Sequence, residues 1–524
     1  MMHSAVRRLL AGIVLCLLAG AAQAAIAPAL LQSLAGDDPD ARVAAVAAIG
    51  ALGTPEAASL LRTLKDDALY LMPDGQVVAS LAPSAPAPEG AAAIVVNNRL
   101  RAAIEAALSG MDLMAPGPAQ RLAAAHSLLD QEMSPAQVAL VQRALQGEQD
   151  GQVRSALQLL LALASLQAPQ MAERAAAARQ VGELGGSAQR APLQAMLEPA
   201  SAEPNAAVRL AVTAALKAID ARQARTELLG HLFYGVSLAS VLLLAALGLA
   251  ITFGLMGIIN MAHGELLMIG AYTTYLVQSL FRQYLPQAVD LYLLAAVPAA
   301  FAVAALVGMA LERSVIRWLY GRPLETLLAT WGISLVLMQA VRTLFGAQNV
   351  EVANPAWMSG GVTVLGSLVL PYNRIAIIVF AVLVTAGVWL LLNGTRLGLF
   401  VRAVMQNRRM AGCVGVPTGR IDMLTFGLGS GIAGLGGVAL SQLGNVGPDL
   451  GQSYIIDSFM VVVLGGVGQL AGTVIAALGL GEANKLLEPA AGAVLAKIAI
   501  LAFIIIFIQR RPQGLFAVKG RSIE

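Results

Sequence analysis

Eight apolar stretches, at residues 229–250, 265–280, 291–311, 326–344, 375–392, 423–443, 459–481 and 493–508, fill the second half of the chain, and nothing comparable occurs between residues 25 and 226. A helix needs about 20 apolar residues to cross ~30 Å of hydrocarbon. Most of the eight meet that length; 265–280 is short and calls for a thinned bilayer, a broken helix or burial among its neighbours. The fold class to expect for residues 229–524 is a polytopic transmembrane helical bundle. Composition agrees. Of 524 residues, 57% are apolar and 12% charged, and mean hydropathy is +0.72, where soluble domains carry about a quarter charged residues. An ordinary soluble enzyme, a disordered chain and a fibrous repeat are excluded. Two cysteines leave no disulfide framework and no cysteine-built metal site. A formal net charge of +3 is too small to suggest nucleic acid as a partner.

The charges divide the chain. Residues 25–228 carry 20 Asp+Glu against 15 Lys+Arg, and residues 229–524 carry 11 against 17. Before both, Arg7 and Arg8, an apolar run at 9–19 and the small-x-small site Ala22-Gln23-Ala24 have the form of a signal peptide over residues 1–24. Residues 25–228 are then exported to the periplasm. In them Ala, Leu and Val recur at helical spacing. An Arg-led helix from Asp40 to Gly53, closed by glycine, is repeated from Arg174 to Gly185, with looser copies led by Arg121, Arg154 and Arg209. Such helix pairs are similar to HEAT-type repeats, which stack to bury a shared core. A small hairpin around Asp74-Gly75 and a Pro/Ala linker at 81–88 interrupt the array. The whole chain therefore reads as all-α, a HEAT-like repeat domain ahead of a membrane bundle.

With the front half outside, Arg313, Arg317 and Arg322 fall in one cytoplasmic loop, and Arg396, Arg402, Arg408 and Arg409 in another, as the positive-inside rule requires. Eight full crossings would leave Arg510, Arg511, Lys519 and Arg521 outside. Gly465, Gly466, Gly468 and Gly472 could break 459–488 into a re-entrant pair and return the C-terminus to the cytoplasm.

Catalytic signatures are missing. The sequence has no G-x-x-x-x-G-K-S/T, no H-E-x-x-H, no cysteines at zinc spacing and no G-x-S-x-G. No enzyme activity and no cofactor are expected in this chain. Polar groups at membrane depth default to a functional role. Asn260, His263 and Glu265 stand together, and Gly254, Gly257 and Gly264 allow a helix break that would put them at the interface instead. Asp457 and Ser458 have the character of helix N-caps.

Residues 254–265 (GLMGIINMAHGE), 396–411 (RLGLFVRAVMQNRRMA, closed by Gly415-Val416), 463–468 (VLGGVG) and 511–516 (RPQGLF) resemble the permeases of the branched-chain amino acid type of ABC importers, over residues 229–524. Within that family, residues 441–459 (SQLGNVGPDLGQSYIIDSF) and the long front half look like the urea-transporting members. The resemblance implies a subunit of the bacterial inner membrane that works with a second permease subunit, two ATPase subunits holding ATP and magnesium, and a periplasmic substrate-binding protein. It implies a translocation pathway for urea or short amides, with branched-chain amino acids as the alternative. A channel or secondary carrier with an exported docking domain is the reading from another class. For urea the pathway would be neutral and hydrogen-bonding. Thr330, Ser334, Gln339, Gln442 and Asn445 are candidate lining groups beside Asn260, His263 and Glu265, and each could equally bridge helices. The cytoplasmic coupling loop is implied at 394–420, with Gly398, Arg402, Gln406, Asn407, Arg408, Arg409, Met410 and Gly415 as its residues. It would carry one short amphipathic helix docked on an ATPase, its arginines facing acidic partners there or simply setting topology.

Overall fold

The structure, a computed structural model, describes residues 26–36, 38–72, 77–79, 92–129, 133–198, 203–364 and 368–516. The expected leader at 1–24, the Asp74-Gly75 turn, the linker at 81–88, and Lys519 and Arg521 lie outside the described residues. The chain divides into two compact units, Met1–Gln223 and Ala224–Glu524.

The first unit is built of short helices: α1 (Pro28–Ala35), α2 (Pro39–Ala51), α3 (Pro55–Lys65), α4 (Asn98–Asp112), α5 (Pro118–Leu129), α6 (Pro135–Gly147), α7 (Gly151–Ser165), α8 (Met171–Leu184), α9 (Arg190–Ala195) and the first turns of α10 (Ala206–Met256). Their starts are written locally. Side chains of Asp38, Thr54, Asn97, Ser134 and Asp150 accept hydrogen bonds from first-turn amides, and prolines open α2, α3 and α6, where no amide is needed. The apolar faces close in sequence. Val46 and Ile49 pack with Leu61, Leu64, Leu100 and Ile104. Leu128, Val141 and Leu157 form the next cluster, and Val181, Val208 and Val212 the last. Between α3 and α4, β1 (Leu69–Leu71) pairs antiparallel with β2 (Val77–Ala79) and β3 (Ala92–Ala93), placing Tyr70 opposite both Val78 and Ala93. The expected hairpin strands are present. The third strand was not foreseen, and the fold remains mostly helical.

The Arg-led helices share one device. Arg121 Nη1 donates to the carbonyls of Ala115 and Pro116, Arg174 Nη1 to those of Ala168 and Pro169, and Arg209 Nη1 to those of Glu203 and Pro204. Each arginine thus ties down the turn that precedes its own helix. Two of them also grip a buried carboxylate further along: Arg121 Nε is 2.7 Å from Glu148, and Arg174 Nη2 is 2.8 Å from Glu203. The guanidinium of Arg121, helped by the amides of Asp150 and Gln149, holds the Glu148 carboxyl down from the ordinary 4.5 to about 2. A depressed carboxylate stabilises the fold fully above its unfolded value, and this support drains away as pH falls from about 4.5 towards 2. Amide exchange of α5 to α7 in the full chain, taken relative to the intrinsic rate of unprotected amides at each pH, is therefore expected to accelerate over that window. Glu148→Gln is expected to accelerate it by about tenfold or more already at pH 7, because the Arg121 charge loses its buried partner. Exchange unaffected by either change would refute the role given to the pair.

The second unit takes the rest of α10, then α11 (His263–Tyr284), α12 (Tyr292–Ser314), α13 (Pro323–Phe345), the hairpin of β4 (Gly361–Val364) and β5 (Leu368–Pro371), α14 (Tyr372–Gly394), α15 (Arg396–Gln406), α16 (Arg408–Cys413), α17 (Thr418–Ser441), α18 (Leu450–Gly465) and α19 (Leu470–Arg510). Among the described residues, six helices are long and apolar enough to cross a membrane, in α10, α12, α13, α14, α17 and α19. At its centre, α17 is buried almost throughout. Its glycines let neighbouring backbones approach, as packing in lipid favours. A Cβ on Gly434 would lie 2.6 Å from the Ala300 carbonyl oxygen, and one on Gly437 would fall on the carbonyl oxygen of Leu267. The short apolar stretch at 265–280 is resolved as burial, since α11 sinks most of its first three turns into the bundle.

Three boundaries differ from expectation. Helix α10 starts at Ala206 rather than 229, because residues 206–228 hold good helix formers and no stop signal. Residues 459–481 are not one helix: α18 ends at Gly465, Gly466 takes φ 100°, and α19 resumes at Leu470. As a straight rod α19 would be about 60 Å long, twice the hydrocarbon thickness; it breaks at Gly492 (φ 79°), just after Pro489. The chain end returns to the first of these breaks, where the Leu515 amide donates to the Leu464 carbonyl at 2.9 Å. Asp457 and Ser458 lie inside α18 and are not caps. Asp457 pairs with Lys497, and the Ser458 hydroxyl donates to the Tyr454 carbonyl.

Candidate functional site

The polar residues at membrane depth fall into separate groups. After α10, Gly257 turns the chain with φ 66°, residues 257–262 run irregularly, and α11 begins at His263. The break is the one Gly254 and Gly257 suggested; Gly257 itself is exposed, while Ile258, Asn260 and Ala262 are buried. Asn260, His263 and Glu265 are all within the bundle. The Asn260 side-chain oxygen Oδ1 accepts the Ala262 amide at 3.0 Å, His263 Nε2 stands 2.9 Å from the Ala245 carbonyl, and the Ser334 hydroxyl donates to Glu265 Oε1 at 2.9 Å. Thr330 accepts the Met261 amide at 3.1 Å and donates to the Thr326 carbonyl. Five expected residues thus meet where α13 seals the irregular segment. Asn260 Nδ2, His263 Nδ1 and Glu265 Oε2 have no protein partner among the described residues. Such groups cost about 1–3 kcal/mol each when unsatisfied.

The remaining pathway candidates do not join that cluster. Gln339 is exposed on α13. Gln442 is buried as a clamp: its Oε1 accepts the Tyr292 hydroxyl at 3.1 Å, and its amide donates to Ser441. Asn445 lies on the wall of a cavity of about 480 Å³, with Asn349, Asn484, Asp449, Lys485 and Lys497. The Asn445 loop is held by Val350 and Val446, whose amides donate to each other's carbonyls at 2.9 Å. The cavity charges are largely matched to each other. Lys497 is 3.1 Å from Asp457, and Lys485 is 2.6 Å from Glu488. Of the polar groups on this wall, the sequence singled out Asn445 and Asp457 but not the lysines. Lys485, Glu488 and Lys497 inside an otherwise apolar helix were the available signal.

The segment between α14 and α17 holds two helices where one was expected. Thr395 caps α15 by accepting the Gly398 amide at 3.3 Å. A Cβ on Gly398 would lie 2.7 Å from Leu392 Cα, so the helix can fold back on α14 only with glycine there. Arg402 closes the same corner, donating to the Leu392 carbonyl at 2.7 Å and to Asn393 at 3.1 Å. Asn407 ends α15 and caps α16 by accepting the Met410 amide at 2.9 Å. Gly415, at φ 89°, turns the chain towards α17. Arg402, Gln406, Asn407, Arg408, Arg409 and Met410 are exposed. Arg408 is committed inward, to Asp422 of α17. Of the three arginines expected to face a partner, Arg402 and Arg408 are engaged within the chain.

Residues 231–509, more than half the chain, match the family described as branched-chain amino acid transport system / permease component. The chain is 31% identical over 293 residues to the high-affinity branched-chain amino acid transport system permease protein BraD of Pseudomonas aeruginosa, covering 55% of this chain and 95% of that protein. It is 28% identical over 292 residues to LivH of Escherichia coli, the corresponding permease protein, covering 55% and 94%. A probable branched-chain amino acid permease of Methanocaldococcus jannaschii is 25% identical over 262 residues, covering 48% and 78%. No solved structure matches the chain. With six helices fit to cross a bilayer and this match, the chain belongs to the family of branched-chain amino acid transport permease components and is a multi-pass inner-membrane protein.

Proposed function

We propose that this chain is the permease subunit of an ATP-driven importer for a small nitrogen-bearing solute, either a branched-chain amino acid or a short amide such as urea. The observation that carries the reading is the polar, glycine-bounded pair α15–α16 set between two crossing helices of a family permease, with no nucleotide motif in the same chain. It would seat on a separate ATPase, whose ATP-driven closure rocks the bundle between outward and inward openings. The partners are a second permease subunit, two ATPase subunits that hold ATP and magnesium, and a periplasmic binding protein. Residues 1–24 serve as the leader, and residues 25–228 form a periplasmic, HEAT-like domain that docks a partner. Its repeats are supported by the arginine device at Arg121, Arg174 and Arg209. The basic residues Arg511, Lys519 and Arg521 support a cytoplasmic C-terminus.

The names of BraD and LivH favour branched-chain amino acids. A specific observation favours urea. The segment 441–459, by which the chain resembles urea-transporting members, supplies Asn445, Ser453 and Asp457 to the cavity wall. There Lys497 pairs with Asp457 and Lys485 with Glu488, Asp449 has no salt bridge among the described residues, and Asn349, Asn445 and Asn484 offer amides to an uncharged solute. Uptake of labelled leucine and labelled urea by a strain lacking this chain decides between them. Loss of urea uptake alone establishes the amide reading, loss of leucine uptake alone establishes the amino acid reading, and loss of neither refutes the proposal.

A further inference from the structure

At the base of the α15–α16 segment, four side chains from four parts of the second unit are stacked in series. Asp422 is on the first turn of α17 and 2% exposed, and its Oδ2 accepts from Arg408 Nη2 at the start of α16. The Arg408 guanidinium lies over the ring of Tyr320, 4.5 Å from its centroid, in the turn between α12 and α13. The Tyr320 hydroxyl donates to Glu312 Oε1 at 3.4 Å, and Glu312 is buried near the end of α12. Asp422 has no other cation within salt-bridge distance among the described residues. A carboxylate taken out of water needs its counter-ion, and separating the two strands the buried charge. A planar guanidinium can both pair and stack, which an ammonium cannot match.

We infer that Arg408, Asp422 and Tyr320 form a latch that makes α16 move as one body with the start of α17 and the α12–α13 turn, so that force applied to the coupling segment reaches the bundle at this point. The inference rests on the coupling role proposed above. It makes Arg408 a positioning residue rather than a contact for the ATPase, and leaves Arg409 and Met410 as the exposed neighbours free to meet one. The motion has a defined route: α17 is the buried centre of the bundle, and α12 packs along its glycine face at Gly427 and Gly434.

The test uses the assembled importer with Arg408→Gln, Arg408→Lys, Tyr320→Leu and the double variant R408Q/D422N. The double variant removes both charges and so avoids a lone buried carboxylate, which keeps the test open if R408Q alone fails to assemble. The expected result is faster amide exchange confined to Arg408–Cys413 in the double variant. Binding-protein stimulation of ATPase should fall about tenfold while basal hydrolysis persists. Arg408→Lys should restore part of the stimulation, and Tyr320→Leu should weaken it. Wild-type exchange and stimulation in the double variant would overturn the latch. A wild-type complex with no stimulated ATPase at all would instead overturn the importer reading, and exchange at Arg408–Cys413 still reports on the latch in that case.

Discussion

Gly437→Leu is expected to eliminate the folded permease. The position lies in the middle of α17, where a Cβ would fall on the Leu267 carbonyl oxygen and lie 2.7 Å from the Ala271 amide nitrogen of α11. These are backbone atoms of a buried helix and cannot swing aside as a side-chain end would. Ordinary overpacking costs about 1–3 kcal/mol because neighbours adjust their rotamers. Here α11 itself would have to move, and with it the irregular segment 257–262 that α13 seals through Thr330 and Ser334. Detergent-extracted variant should therefore aggregate, where the native chain elutes as a single species. Gly479→Leu is the matched control, since a Cβ there meets nothing within 4 Å. It should leave extraction and elution unchanged. A well-folded Gly437→Leu protein would show that close approach to α11 is not what holds α17 in place.

Gly415→Val is expected to spare the bundle and uncouple it. No atom lies within 4 Å of a Cβ at Gly415, so no clash arises. The cost is conformational. At φ 89° a β-branched residue is a genuine outlier, and strain of this kind is worth about 1–3 kcal/mol. The chain relieves it by rotating the turn that joins α16 to α17, a turn set by the Val416 amide donating to the Ala411 carbonyl at 3.0 Å. Helix α16 has six residues, held at its start by Arg408 on Asp422 and Tyr320 and at its end by this turn. Each ~1.4 kcal/mol lost from docking is a factor of ten, so solute-stimulated ATPase in the assembled complex should drop at least about tenfold with normal assembly. Stimulation equal to the native complex would remove α16 from the coupling route.

The parts of this fold that could be read in advance are those specified by local chemistry. Helices α12, α13, α14 and α17 lie within a few residues of their apolar runs, because twenty apolar residues in lipid have no alternative to a helix. The glycines at 465–468 announced a break, which falls at Gly466. Helix α10 was cut short in advance because its polar first half and apolar second half differ in composition yet share an unbroken helical propensity. The candidate site was less legible. Asn260, His263 and Glu265 were visible as neighbours, but their sealing by Thr330 and Ser334 joins residues about 70 apart in sequence. The cavity wall draws on Asn349, Asn445, Asn484 and Lys497, which only packing brings together. Asp422 falls between the expected coupling loop, which ends at 420, and the apolar run that starts at 423, so its burial and its claim on Arg408 had no local signal.

This chain is proposed to carry solute through the membrane under the control of a separate ATPase. The most direct measurement is accumulation of labelled urea and labelled leucine in proteoliposomes holding this chain with its second permease and ATPase subunits and the loaded binding protein, with ATP supplied on the ATPase side. Concentrative uptake of one of the two solutes is predicted, and it should vanish when ATP or this chain is left out. Equal uptake without ATP, or uptake undiminished without this chain, would contradict it.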